Sequence, residues 1–286
     1  MDAIAAGALA YGANVFTVFA LYPYRDFVKY FHFGSSLNQS AGDFCLGRYR
    51  GMLSNPSQPL FLAAPYGALF FGYVLGPGPF GGALLGGTLH GFMKTCVART
   101  GRRMSMHGGR YKGRYDTVLD CIISGSKEFG VYSTFAGATA VSLISILWYG
   151  STLAMLQRTY DRGYFFENFW TAFRAHAFMT FLTAPLRNVF RSSLSSGERS
   201  GGVRTATSFV RGEAAIFREA MGVGRHVLRS EGIPFFLNGV LRTTFKTSVP
   251  FGFSYALFKW MGGSIGYATS GGNHGHHIGR RSIGRF

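Results

Sequence analysis

The sequence predicts an all-α membrane protein of six transmembrane helices arranged as three pairs. Three observations predict it: six long apolar stretches, basic loops that recur between them, and a glycine that recurs at a similar place in every second stretch. Of the 286 residues 47% are hydrophobic and 14% charged, against about 25% charged in an ordinary soluble domain. The chain is therefore short of the charge needed to coat soluble domains of this length. Glycine, at 41 residues, is abundant, as it is where transmembrane helices pack backbone to backbone.

Six segments are long enough to cross a hydrocarbon core of about 30 Å: Ala3–Tyr24, Pro59–Pro77, Phe80–Ala98, Thr134–Gln157, Phe165–Ala184 and Gly239–Met261. Several contain polar residues, as expected of a helix with one face on a cavity. Segments two and three are joined by a tight turn at Gly76, Pro77, Gly78 and Pro79, and segments four and five by a short loop at Asp161, Arg162 and Gly163. The other connections are long. Stretches 25–50, 94–127 and 187–231 hold 20 of the 29 lysines and arginines, which places all three long loops on one side of a membrane. A net charge of +17 would suggest nucleic acid on a soluble chain; this distribution argues for a membrane and against a nucleic-acid partner.

Two loop stretches are amphipathic. In Tyr115–Phe129, Val118, Leu119, Ile122 and Ile123 recur at helical spacing, with Asp116 early and Lys127 late, matching the helix dipole. A second runs from about Glu213 to Arg229. Helices of this kind lie in the membrane interface. The tail from Ser264 is rich in Gly, Ser, His and Arg and has no core-forming period. It reads as a flexible basic extension, with His274, His276 and His277 incidental to it rather than a metal site. Cys45, Cys96 and Cys121 form no close pair, so neither a disulfide framework nor a zinc site is expected. The apolar run begins at Ala3 with no basic region before it, so any targeting information is expected to be internal.

An internal repeat follows. The even segments share a glycine at Gly67, Gly150 and Gly252, each preceded by another at the loop exit, Gly51, Gly137 and Gly239. Near the ends of the odd segments, Pro23, Asp26 and Lys29 match Pro185, Asn188 and Arg191; the second copy aligns as Met93, Cys96 and Arg99. The repeats are then 1–78, 79–163 and 164–262, with the basic Gly/His-rich tail at 263–286.

These features resemble the mitochondrial carrier family over about residues 1–262. The loop Tyr111, Lys112, Gly113, Arg114, Tyr115 and Asp116, followed by an amphipathic helix, Glu128, Phe129 and Gly130, then Ala136 and Gly137, is similar to a carrier loop. Arg229, Ser230, Glu231 and Gly232, then Asn238 and Gly239, are similar to its third-repeat counterpart. The resemblance implies six spans in three pseudo-repeats in the mitochondrial inner membrane. Both termini would face the intermembrane space, with the short amphipathic helices on the matrix side.

The resemblance also implies site residues. The matrix gate would comprise Asp26, Lys29, Arg99 and Arg191. With Cys96 and Asn188 in place of acids, it retains one full ion pair where the family has three, and the proline is offset by a residue from the family spacing. At the opposite gate the motifs Gly72, Tyr73 and Val74, Leu156, Gln157 and Arg158, and Phe258, Lys259 and Trp260 contain no acid, so charge latching is not expected there. Substrate-contact positions fall at Leu62, Ser145 and Lys246, with Thr247 the alternative to the last. Arg174 and His176, inside the fifth segment, either supplement that site or face loops, headgroups or a partner. Cardiolipin phosphate would be met by Tyr111, Lys112 and Gly113 and by Arg211 and Gly212, placed before the loop helices where backbone amides attract an anion; plain basic loop residues are the alternative.

No paired carboxylates, phosphate-cradling loop or nucleophile–base motif is present, so no enzyme activity, metal or cofactor beyond bound cardiolipin is expected. The run Gly86, Gly87, Thr88, Leu89, His90 and Gly91 reads as a packing surface, with His90 a packing histidine. Two functions remain open: a solute carrier for a small metabolite, or a non-transporting accessory subunit of a respiratory or ATP synthase type complex with other subunits as partners. A glycine-zipper channel of the import type is disfavoured by six spans with three basic loops.

Overall fold

The computed structural model describes residues 1–24, 27, 49, 50, 57–105, 115, 117–159, 164–196 and 205–265, the side chains of 58, 105 and 191–196 excepted. The described residues are helical, with no strand among them. The twelve helices named here are α1 (Ala3–Ala20), α2 (Ser57–Leu75), α3 (Gly78–Ser105), α4 (Val118–Phe129), α5 (Val131–Phe135), α6 (Ala138–Ser145), α7 (Ser151–Gln157), α8 (Phe165–Leu182), α9 (Ala184–Ser196), α10 (Ala206–Ser230), α11 (Ile233–Leu237) and α12 (Val240–Trp260). A π-helical turn, Ile146–Gly150, joins α6 to α7.

The long helices close a ring. α1 packs on α2, α2 on α3, and α3 on α6, the π turn and α7; α7 and the π turn pack on α8, α8 on α12, and α12 on α1. Two helical stretches, Ala3–Ala20 and Val131–Gln157, are long and apolar enough to cross a membrane, and Pro59–Leu75 is apolar but shorter. This is fewer than the six expected spans. The physical reason lies in the charges the other helices contain: Lys94 and Arg99 in α3, Arg174 in α8, Arg242 and Lys246 in α12.

Local chemistry explains the helix ends. Thr117 caps α4 by accepting from the Asp120 amide at 3.1 Å, so the first amphipathic helix starts at Val118, the first residue of its apolar period, and not at Tyr115. Thr205 and Ser208 form a capping box at the start of α10, which therefore begins well before Glu213. At the loop exits Gly137 and Gly239 hold φ of +88° and +69°, a left-handed conformation that favours glycine and turns the chain into α6 and α12.

Glycine also sets how closely the ring helices approach. Gly67 lies against the backbone carbonyl of Gly7, Gly150 against that of Ala83, and Gly252 against that of Phe169. The same contact thus recurs on each odd–even pair and supplies a register. Seven residues further on, two helical turns, stand Asn14, His90 and His176. Sixteen residues further on stand Pro23, Arg99 and Pro185. Counted from these glycine contacts, Arg99 of the unbroken α3 falls at the number that Pro23 and Pro185 hold beyond the ends of α1 and α8.

Candidate anion-binding cavity

A cavity of about 470 Å³ lies inside the ring, lined from α1 by Asn14, Thr17 and Leu21, from α2 by Leu62 and Tyr66, from α3 by His90, Lys94 and Arg102, from the π turn by Tyr149, and from α12 by Lys246 and Thr247. These residues come from the halves of the helices that lead to the long basic loops. Among its described lining residues are three cations, Lys94, Arg102 and Lys246, and no Asp or Glu. Cations that line one cavity attract an anion, the more strongly where water is scarce.

The cavity floor is aromatic. Lys94 Nζ stands 4.9 Å from the Tyr149 ring centroid and 5.3 Å from that of Trp148. Such contacts hold an ammonium in place without neutralising it. Trp148 is fixed on its far side, where Nε1 donates to Thr180 Oγ1 at 2.9 Å and the Arg187 guanidinium lies 4.3 Å from its ring. His90 Nδ1 and Ser145 Oγ are 3.0 Å apart. The same contact recurs between His176 Nδ1 and Ser248 Oγ, at 2.9 Å, with the His176 ring stacked on Phe251.

Beyond this floor, toward the short-loop end, the ring is sealed. Leu69, Phe70, Tyr73, Leu153, Leu156 and Phe258 are each at most 3% exposed. Tyr73 OH donates to Gln157 Oε1 at 2.8 Å, and Phe70 packs on Phe258 with centroids 4.6 Å apart. Apolar packing and a tyrosine hydrogen bond occupy the end whose motifs contain no acid.

The expected site residues divide. Leu62 and Lys246 line the cavity, as does Thr247. Ser145 is fully buried behind it, against His90. His176 is fully buried in the aromatic layer and is not among the lining residues. Arg174 is exposed and lines a surface groove with Glu167 and Trp170. Arg99 ties two helices: its Nε and Nη2 donate to the Ala136 carbonyl at 3.2 and 2.8 Å. Arg191 belongs to α9, and its side chain lies outside the description. Asp26, Lys29, Tyr111, Lys112 and Gly113, and the tail from 266 onward, also lie outside the described residues.

Arg211 and Gly212 are placed differently from expectation. They sit in the second turn of α10 and not ahead of it, because the Thr205 cap starts the helix earlier. Their neighbour Glu213 is buried, and its carboxylate accepts from the amides of Gly137 and of Thr139. A protein anion thus occupies the start of α6, as the positive end of a helix favours. In α4 Cys121 is fully buried, and burial pushes its thiol up. Among the described residues no group of three or more His, Cys, Asp or Glu is placed to hold a metal.

Lys94, Arg102 and His90 were absent from the expected site. Lys94 and Arg102 read as the start of a basic loop, and His90 as packing; the extension of α3 to Ser105 carries all three along one helix past the cavity. No family model, characterised protein or solved structure matches the chain. The class that the fold and the site define is therefore an all-helical protein, with two helices long and apolar enough to cross a membrane, enclosing a basic cavity.

Proposed function

We propose that the chain is a multi-pass protein of the mitochondrial inner membrane, built on the plan of a mitochondrial carrier, and that its central cavity takes a small anion. The observation that carries this reading is the cavity itself: Lys94, Arg102 and Lys246 line it, with no carboxylate among its described lining residues. Three further features support it. The helices close a ring in chain order. The glycines Gly67, Gly150 and Gly252 repeat one contact on three helix pairs. The basic stretches of the sequence recur after every odd segment, as the positive-inside rule would have them on a matrix-facing surface. On this reading six helices span the bilayer with the termini toward the intermembrane space, and cardiolipin and other anionic lipids associate with the basic loops.

One observation favours a second reading, a non-transporting accessory subunit of a larger inner-membrane complex. Alternating access requires two closures of comparable stability. The short-loop end is interlocked through glycines: a Cβ on Gly72 or Gly86 would collide with the opposing helix. A seal of that kind resists opening. Uptake into proteoliposomes of phosphate, sulfate, dicarboxylates, tricarboxylates and nucleotides separates the two. Saturable counter-exchange supports the carrier. Anion binding without exchange, together with recovery of the native protein inside a large complex, supports the subunit. Neither binding nor exchange for any anion refutes the anion-binding reading.

A further inference from the structure

The helix α8 presents two faces. Ala172, Ala175, His176 and Thr180 are buried in the ring, where α8 packs on α12. On the opposite face Phe166, Trp170, Phe178 and Phe181 are each more than half exposed. Arg174, also exposed, stands among them at the same spacing of three or four residues, so the five side chains form one stripe along the helix. The Trp170 ring is braced by Phe169 and Phe173, with centroids 5.3 and 5.5 Å away. The stripe is therefore ordered before anything docks on it.

The depth of Arg174 calls for a partner. It is the tenth residue of the expected span 165–184, so on the six-span reading it lies about 13–15 Å from either end, in the middle of the hydrocarbon. Lipid phosphates lie beyond those ends, further than an arginine side chain extends. A cation at such a depth is costly unless it faces the inside of a bundle, water or an opposite charge. Arg174 faces out of its own bundle. Among the described residues nothing is hydrogen-bonded or ion-paired to it. Glu167 lines the same surface groove, but two turns nearer the helix start, about 10 Å along the axis.

We propose that the outer face of α8 docks a transmembrane helix of another protein, and that this helix brings a carboxylate to the depth of Arg174. That surface exists only on the six-span reading above, and it is where the accessory-subunit reading places a neighbour.

Charge selects the occupant. Two copies of this chain inserted with the same orientation bring equal depths together, so Arg174 would meet Arg174 and not Glu167. The tail 266–286 contains no Asp or Glu. A carboxylate from a foreign helix can accept two parallel hydrogen bonds from the guanidinium. The aromatic stripe supplies packing area, which is what joins helices where lipid offers no hydrophobic drive.

The test places the full-length protein in phosphatidylcholine vesicles with a synthetic Leu/Ala transmembrane peptide carrying one central Glu. Association is read by energy transfer between labelled peptide and labelled protein. A second peptide has Gln at that place, and a third has its Glu two turns from the centre. The central-Glu peptide should bind roughly tenfold more tightly than the other two, and Arg174→Gln should abolish the difference. Equal binding of the three peptides by the parent protein overturns the proposal, whatever the variant does. A preference that survives Arg174→Gln overturns the assignment to that residue. Cardiolipin added to the same vesicles separates a lipid phosphate from a helix: a preference that cardiolipin abolishes gives Arg174 to lipid and overturns the docking. A membrane-impermeant maleimide on Phe178→Cys, read by peptide mapping, reports the depth of α8. Labelling at position 178 overturns the six-span reading and this surface with it. Protection at position 178 together with equal peptide binding leaves the six spans standing and overturns the docking alone.

Discussion

The closest approach of helices in the ring predicts a large effect from one methyl group. Gly91 of α3 faces Ser142 of α6 so closely that an added Cβ would stand 2.6 Å from the Ser142 nitrogen and overlap its Cα. Carbon atoms settle at about 3.5–4.0 Å, so Gly91→Ala must push the two helices apart by roughly 1 Å or bend one of them. The opposing atoms are backbone and cannot rotate away. Overpacking of this kind costs about 1–3 kcal/mol. Alanine's higher helix propensity offsets at most about 1 kcal/mol of it. A net loss of roughly 1–2 kcal/mol corresponds to a fall in Tm of about 2–8 °C at 2–4 °C per kcal/mol. The matched substitution is Gly12→Ala in α1, where a Cβ meets nothing within 4 Å and only the propensity gain applies. Thermal unfolding in detergent can be followed by the fluorescence of Trp148, Trp170 and Trp260. Gly91→Ala should melt lower than the parent, and Gly12→Ala at the same temperature or higher. Equal Tm values for the two variants would refute the close approach of α3 and α6, and with it the register built on these glycines.

Three further outcomes are expected. Glu213→Gln removes the charge that α10 places at the start of α6; hydrogen bonds to charged groups contribute about 1.5–3 kcal/mol, so α10 should become cleavable by trypsin at Arg218 and Arg225 at lower temperature than in the parent. Tyr73→Phe deletes the hydrogen bond to Gln157 at the sealed end and should lower Tm by the equivalent of about 1 kcal/mol; an unchanged Tm would mean that apolar packing alone holds the seal. Cys121, fully buried and with its thiol pushed up by burial, holds less thiolate than a free cysteine at neutral pH, so maleimide should reach it only on unfolding, as read by peptide mapping.

Several features were legible in the sequence because each rests on short-range chemistry. The loop-exit glycines Gly137 and Gly239 adopt positive φ, and the small-residue run of α3 meets opposing backbone at Gly86, Gly87 and Gly91. The loop helix ending at Phe129 was visible in its apolar period. Lys246 and Leu62, which the family resemblance singled out, both line the cavity. What was not legible depended on packing. The loop-facing end of α3 is a run of basic residues with no proline to mark a position, so Lys94 and Arg102 read as loop charge and not as cavity lining. Arg174 and His176, two residues apart on one helix, point to different places: one is exposed and the other fully buried. Charge within an apolar segment does not by itself reveal which face of α8 meets the ring.

Anion binding in the basic cavity is read out by equilibrium binding of phosphate and sulfate to the purified protein, comparing the parent with Lys94→Gln, Lys246→Gln and Arg174→Gln. Each cavity lysine contributes a positive charge to the site, so either substitution should weaken binding by about tenfold, the equivalent of about 1.4 kcal/mol. Arg174→Gln, altered on the exposed face, should bind like the parent. Saturable binding that falls with the two cavity lysines and survives the loss of Arg174 is expected of an anion seated in the cavity. Binding that ignores both lysines, or follows Arg174 instead, would contradict it.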